Sequence, residues 1–429
     1  MTQRAFVLKL LLKLEENDSY SNILLDKELL NVEFSEQEKS FVTALFYGVI
    51  ERRITLDYYI SKLSKVRVKK MDADILFILR MGIYQIMYMD SVPDSAAVNE
   101  SVKLAKKNKN PRLSGFVNGI LRSFLRERKS IKLPVDKMAK LSVLYSCPQW
   151  LAAKLINEYG EENAKDFLEN SLKASEVFLR TNTTIIDSEP LAGKLLEENI
   201  DAKICDFDKN AVVAHGGVFN TKAYKDGFFH AQDYSSQYAV KILDPKPGER
   251  VLDICSAPGG KAFTAAELMK NKGEIVACDL YEQRVSLIKN GADRLGLDII
   301  NTKVNDALKF NSDFGEFDRV LCDVPCSGLG VIKRKPEIKY KKKEEFDELP
   351  EIQFGILECT SRYVKSGGRL VYSTCTLNKS ENEEVVLKFL KQHKTFSPDG
   401  VFNGDFTKTV FPKCFGSDGF FISVLKRID

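Results

Sequence analysis

The stretch "RVLDICSAPGGK" (residues 250–261) decides the fold. It opens on an apolar run, "RVLDIC" (250–255), with the length of a buried strand, and ends in a turn that leads into the helical pattern "AFTAAELMKN". The same rhythm continues downstream. "EIVACDL" (274–280) reads as a second strand, "YEQRVSLIKNGADRLG" as a helix and "INTKVNDA" as a third strand. "FDRVLCDVPCSG", a helical stretch near 350–364 and the strand "GRLVYSTCT" (368–376) follow. Strands that alternate with helices predict a parallel sheet covered by helices, with ligands at the carboxyl ends of the strands near the switch in strand order.

In the turn, Pro258, Gly259 and Gly260 reverse the chain tightly, and the glycines let a ligand approach the backbone. Glycine and lysine spacings match neither the dinucleotide fingerprint nor a P-loop, so phosphate is not the obvious ligand. Asp279 ends the second strand, 19 residues past Gly260, where a carboxylate can accept hydrogen bonds from ribose hydroxyls. Asp306 ends the third strand and can meet an adenine amino group; Asp323 ends the fourth, and Asp253 lies in the first. This ordered set of acids suits a cationic nucleoside, and S-adenosylmethionine has the ribose, the adenine and the positive sulfonium.

Two cysteines, Cys326 in "DVPCSG" and Cys375 in "YSTCT", end strands that are expected to be neighbours. Either alone reads as a small buried residue; a pair beside a cofactor site suggests methylation of a pyrimidine at carbon-5. That carbon is a poor nucleophile until a thiolate adds to carbon-6, and a base must later remove the carbon-5 proton. Lys261 is a candidate cation to favour the thiolate, and Asp323 is placed to meet the cytosine N3 and amino group. The residues alone leave open which cysteine attacks. A metal is not expected: C-x-x-C is missing and the chain has only three histidines.

The rest of the 429 residues divide into further domains. Apolar residues recur three and four apart in 5–14, 39–50, 55–63, 72–89 and 95–106, which predicts an all-helical domain over 1–135. Residues 145–230 mix helical and strand patterns and predict a small α+β subdomain, leaving 231–429 as the catalytic domain. Residues 1–150 hold 25 basic and 17 acidic residues, a net of +8, while the remainder is net acidic. Lys103, Lys106, Lys107, Lys109, Arg112, Arg122, Arg126, Arg128 and Lys129 form a basic edge suited to RNA phosphates. "KRKPEIKYKKK" (333–343), just past Cys326, predicts a basic clamp with Tyr340 free to stack an unpaired base. The apolar stretch at 75–89 is broken by Arg80 and Gln85 and predicts a buried helix, with no membrane span. The opening residues suit an amphipathic helix better than a signal peptide, and the nine cysteines do not suggest a disulfide scaffold, so a cytoplasmic protein is expected.

The chain resembles the bacterial 16S rRNA cytosine-5 methyltransferase B family (RsmB, Fmu or Sun) nearly end to end. "VLDICSAPGGK", "DVPCSGLGVIKRKPEIKY" and "VYSTCTLNKSENEEVV" are similar to its cofactor loop, proline-cysteine motif and threonine-cysteine motif. "AQDYSSQ" (231–237) and "DGFFISVLKR" (418–427) match its flanking signatures, and "VPDSAAVNESVKLAK" and "GFVNGILR" (115–122) its NusB-like helical domain. The resemblance implies a NusB-like RNA-binding domain, a ferredoxin-like RNA-binding subdomain and a Rossmann-like methyltransferase domain. It implies Cys375 as nucleophile, Cys326 as the residue that helps product release, and cofactor contacts from Cys255, Ser256, Ala257, Pro258, Gly259, Gly260, Lys261, Asp279, Asp306 and Asp323. Ser256, Ala262 and Lys413 depart from the family's usual alanine, threonine and histidine. The implied substrate is a single-stranded or loop cytosine of 16S rRNA, acted on by a monomer. The alternatives are the same reaction on tRNA, or a non-catalytic RNA-binding assembly factor.

Overall fold

The computed structural model describes all residues except 17–20, 108–110 and 174–175, so Lys109 of the basic edge lies outside the described residues. The chain forms two compact units, one of Met1–Leu172 with Ile332–Lys341, the other of Lys173–Val331 with Lys342–Asp429.

The first unit is helical: α1 (Gln3–Glu16), α2 (Ser21–Leu29), α3 (Glu36–Glu51), α4 (Arg53–Leu63), α5 (Ala73–Tyr88), α6 (Asp94–Lys106), α7 (Leu113–Glu127), α8 (Lys137–Tyr145) and α9 (Gln149–Asn170). Helix α5 is apolar nearly all round because α1, α3, α4, α6 and α7 all pack on it. Its polar residues are satisfied within the unit. Arg80 forks onto Asp57 at 2.7 and 2.8 Å, and Gln85 accepts from Arg4 Nε at 2.7 Å and donates to the Met81 carbonyl. Among the described residues no helix is long and apolar enough to cross a membrane. Helices α8 and α9 cluster with this unit, so the boundary between the compact units falls after Leu172.

The segment 332–341 corrects the expectation of an exposed clamp. Pro336, Ile338 and Lys339 are buried in the helical unit, and Lys339 Nζ donates to the Glu51 carbonyl at 2.8 Å. The Tyr340 hydroxyl lies 3.0 Å from the same carbonyl oxygen and 3.2 Å from Ser146 Oγ, so the ring is part of the core and does not stack a base. Glu337 accepts from the Ser21 amide and hydroxyl at 3.1 and 2.7 Å. Proline and isoleucine inside the basic run supply the apolar area that outweighs solvation of its charges.

The second unit starts with a four-stranded antiparallel sheet. It comprises β1 (Val177–Thr181), helix α10 (Ser188–Glu197), β2 (Ala202–Cys205), β3 (Asp208–Ala214), the short α11 (Lys222–Lys225) and β4 (Phe229–Ala231), in the order β2-β3-β1-β4. Then come α12 (Tyr234–Leu243), β5 (Arg250–Asp253), α13 (Gly260–Leu268), β6 (Glu274–Asp279), α14 (Glu282–Leu295), β7 (Ile300–Val304) and β8 (Phe317–Asp323). Helix α15 (Leu349–Ser361), β9 (Val364–Thr374), α16 (Glu383–Gln392), β10 (Phe396–Pro398), β11 (Thr407–Val410), α17 (Pro412–Phe415) and β12 (Phe420–Arg427) complete it.

The large sheet runs β10-β12-β9-β8-β5-β6-β7, parallel from β9 to β7 and antiparallel where β12 pairs with β9. Alternate residues serve two cores. Val251, Leu321 and Val371 pack with α12, α13 and α14, while Leu252, Val320 and Leu370 pack with α15 and α16. Burial on both faces is why these strands read as continuous apolar runs. The chain leaves β5 for β6 on one side and returns to β8 on the other, so the switch in strand order lies between β5 and β8.

Candidate active site

The loop after β5 is held by its backbone. Ser256 N–H donates to the Cys278 carbonyl at 2.7 Å, Gly259 N–H to the Ser256 carbonyl at 2.7 Å, and Ala257 N–H to Asp279 Oδ2 at 3.3 Å. Gly259 has φ of 110°, and a Cβ there would lie 2.4 Å from the Phe263 ring, so both conformation and space demand glycine. Gly260 begins α13, whose first amides have no partner within the helix. Cys255, Ala257 and Gly260 are half-buried and Pro258 is exposed, which leaves this loop open to a ligand.

Three acids lie at the carboxyl ends of β5, β6 and β7. Asp279 is buried and pairs with Arg284 at 3.3 Å. Asp306 lies two residues past β7, half-buried, and accepts from the Leu308 amide. Asp253 is fully buried, and neither of its carboxylate oxygens accepts a hydrogen bond from the described residues. Burial pushes its pKa up to about 7. An unsatisfied buried carboxylate is costly, and a cationic ligand beside it would relieve that cost.

β8 and β9 pair in parallel with Asp323 opposite Ser373, and Ser373 Oγ donates to Asp323 Oδ1 at 2.6 Å. Lys261 Nζ, from the start of α13, donates to Asp323 Oδ2 at 2.6 Å. Burial works to lower the Lys261 pKa, but the Asp323 charge and hydrogen bond outweigh it and the net shift is upward. The ammonium is also within electrostatic reach of Cys375.

Beyond the paired strand ends, Cys326 Sγ and Cys375 Sγ are 3.2 Å apart, both half-buried. The Cys326 thiol pKa is well above its usual value, through the contact with Cys375, burial and the charge of Glu381. Gly330 N–H donates to the Cys375 carbonyl and Gly330 O accepts from Gly419, each at 3.0 Å. A Cβ on Gly330 would lie 2.0 Å from the Gly419 carbonyl oxygen, so only glycine allows the three segments to meet.

The catalytic and cofactor residues read from the sequence lie at the carboxyl edge of this one sheet, whereas the basic edge, Lys339 and Tyr340 belong to the helical unit. The reading missed Ser373, which orients Asp323, and the buried Glu381. The signal for Glu381 was an acid immediately before the helical run "NEEVVLKFL", read only as part of a motif.

A Rossmann-like strand order, a glycine turn at the switch point and acids at successive strand ends define an S-adenosylmethionine-dependent methyltransferase. The chain belongs to the 16S rRNA methyltransferase RsmB/F family, which residues 240–426 match. Residues 1–126 match the NusB family and residues 147–218 the ferredoxin-like domain of RsmF/B-like methyltransferases. The chain is 39% identical to the probable ribosomal RNA small subunit methyltransferase B of Bacillus subtilis strain 168, over 99% of this chain and 98% of that one. It is 33% identical, across the full length of both chains, to the protein of the same name from Synechocystis. Among solved structures, that of PH0851 superposes with a TM-score of 0.82 at 27% identity, covering 99% of this chain and 98% of the other. The protein is therefore a methyltransferase of the small-subunit rRNA class with S-adenosylmethionine as its cofactor. The 255–261 loop, Asp279, Asp306 and Asp323 lie together at the carboxyl edge of the sheet, where this cofactor could be held, with the buried Asp253 at the end of β5.

Proposed function

We propose that this protein methylates carbon-5 of a cytosine in 16S rRNA through a covalent bond between Cys375 and the base. The observation that carries the reading is the 3.2 Å approach of the two thiols beside the Lys261–Asp323 pair. A single thiol beside the cofactor loop would suit many methyl transfers. Two thiols at adjacent strand ends suit one in which the enzyme must both bond to the ring and let it go.

Cys375 is the nucleophile, as the likeness of "YSTCT" to the family's threonine-cysteine motif implies, and the Lys261 ammonium lies within electrostatic reach of it. Cys375 Sγ bonds to carbon-6, and the electrons of the C5–C6 double bond make carbon-5 nucleophilic. Asp323, held by Lys261 and Ser373, faces the base and accepts from its exocyclic amino group. When bound, S-adenosylmethionine supplies the methyl group that becomes bonded to carbon-5. A base then takes the carbon-5 proton, the double bond re-forms, and the Cys375 sulfur leaves with the electron pair of the C–S bond; Cys326 assists this release. A cytosine must be unstacked to reach such a pocket, so a single-stranded or loop site is the target and a monomer suffices.

The test uses S-adenosylmethionine labelled in its methyl group, with 16S rRNA, 30S particles and tRNA as acceptors, followed by nucleoside analysis. Label in 5-methylcytosine of 16S rRNA is the expected result. Label in another nucleoside overturns the carbon-5 assignment, and label confined to tRNA overturns the substrate.

A further inference from the structure

We infer that Glu381 is a positioning residue for the release step, holding Cys326 in place opposite Cys375. The inference rests on the covalent reading above.

Glu381 is wholly buried, and its carboxylate gathers four neutral donors. Oε2 accepts from the Ser327 amide at 2.8 Å and from Gln353 Nε2 at 2.9 Å; Oε1 accepts from Ser327 Oγ at 2.5 Å and from Asn378 Nδ2 at 2.7 Å. Two of these donors belong to the residue that follows Cys326. A third, Gln353 from α15, also donates to the Pro325 carbonyl at 3.0 Å, so it grips the residue that precedes Cys326. Ser327 Oγ lies 2.7 Å from Thr376 Oγ1, so a chain of hydroxyls runs from the residue after Cys375, through the residue after Cys326, to Glu381.

The neighbouring Asn382 holds the other cysteine. Its side-chain Nδ2 donates to the Thr376 carbonyl at 3.0 Å, and its side-chain Oδ1 accepts from Thr374 Oγ1 at 2.6 Å, gripping the residues either side of Cys375. The Tyr372 hydroxyl donates to the Glu381 carbonyl at 2.6 Å and anchors the pair to β9. Two consecutive residues therefore clamp the two cysteine loops to each other. A carboxylate can accept all four hydrogen bonds at once; glutamine, with one acceptor oxygen and an NH₂ group, cannot. After the contact with Cys375 and burial, the Glu381 charge also helps keep Cys326 a thiol.

The experiment compares wild type, Glu381→Gln, Cys326→Ser and Cys375→Ser, each with labelled 16S rRNA and S-adenosylmethionine. Denaturing gels read covalent protein–RNA complex, a multiple-turnover assay reads release, and thermal midpoint and S-adenosylmethionine binding report folding. Glu381→Gln is expected to form the complex, accumulate it as Cys326→Ser does, and turn over about tenfold or more slowly, since charge-assisted hydrogen bonds are lost. Cofactor binding is expected to stay unchanged. A Glu381→Gln protein that turns over like wild type, or that loses complex formation as Cys375→Ser does, overturns the inference. If Glu381→Gln does not fold, Gln353→Leu removes one donor to the carboxylate and the grip on Pro325. Accumulated complex in that variant supports the inference, and its absence overturns it. Absence of complex from wild type and from both cysteine variants would instead overturn the covalent reading itself.

Discussion

Cys326 Sγ lies 3.2 Å from Cys375 Sγ, although 49 residues separate them in the chain. The parallel pairing of β8 with β9 makes this so. Asp323 lies opposite Ser373, and past these strand ends the chain reaches each cysteine within a few residues.

The two thiols are predicted to fail differently. Cys375→Ser should abolish methyl transfer and form no covalent complex with RNA. Cys326→Ser should attack and methylate, then stall as a protein–RNA complex stable on a denaturing gel. The reverse pattern would exchange their roles.

S-adenosylmethionine affinity should depend on pH through Asp253. Burial raises its pKa to about 7, so the carboxyl is largely protonated at pH 6 and ionised at pH 8. A cationic ligand favours the ionised form, so affinity should rise with pH across that window, by several-fold, up to the order of tenfold for one pKa unit of coupling. Asp253→Asn should bind more weakly at pH 8 with a flat profile. Calorimetric titration at both pH values measures this, and a wild-type affinity that falls with pH would refute it.

The basic edge is predicted to hold RNA phosphates. Lys103, Lys106, Lys107, Arg112, Arg122, Arg126 and Lys129 are exposed along the end of α6 and along α7, while Arg128 pairs with Asp94 at 3.5 Å. Replacing Lys106, Lys107 and Arg122 with alanine should lower the salt slope of binding by about 2, at ~0.7 per lost contact with single-stranded RNA. Filter binding across a salt series tests it. An unchanged slope would remove this face from the RNA interface. Deletion of residues 1–130 is a poorer test, because it would strip the buried segment 332–341 of its packing.

Lys339 should make the helical unit more stable at alkaline pH. Burial lowers its pKa to about 8 from an ordinary value of 10.5. Between those values the unfolded chain binds the proton and the folded one does not, so stability rises with pH through that window. Below about pH 8 both states are protonated and the cost of burying the cation is fully present. The gain is on the order of 2–3 kcal/mol. The difference in denaturation free energy between wild type and Lys339→Met, followed from pH 7 to 10.5, should show it. A difference that does not change with pH would contradict the assignment.

Residues 250–261 by themselves determined the strand, the turn and the helix start, because those follow from local sterics and from the apolar periods of strand and helix. The acids at strand ends and the two cysteines were legible for the same reason, since each sits where an apolar run stops. The tertiary structure alone decided what those residues touch. Whether β8 neighbours β9, and so whether the thiols meet, depends on pairing between segments far apart in the chain. Glu381 looks like any acid near a helix start until Ser327, Gln353 and Asn378 converge on it. Lys339 lies in a run of charges that reads as a basic clamp, yet its partner is a carbonyl 288 residues away. Long-range packing leaves no local period in the sequence, and a buried charge is set by groups that only the folded chain brings together.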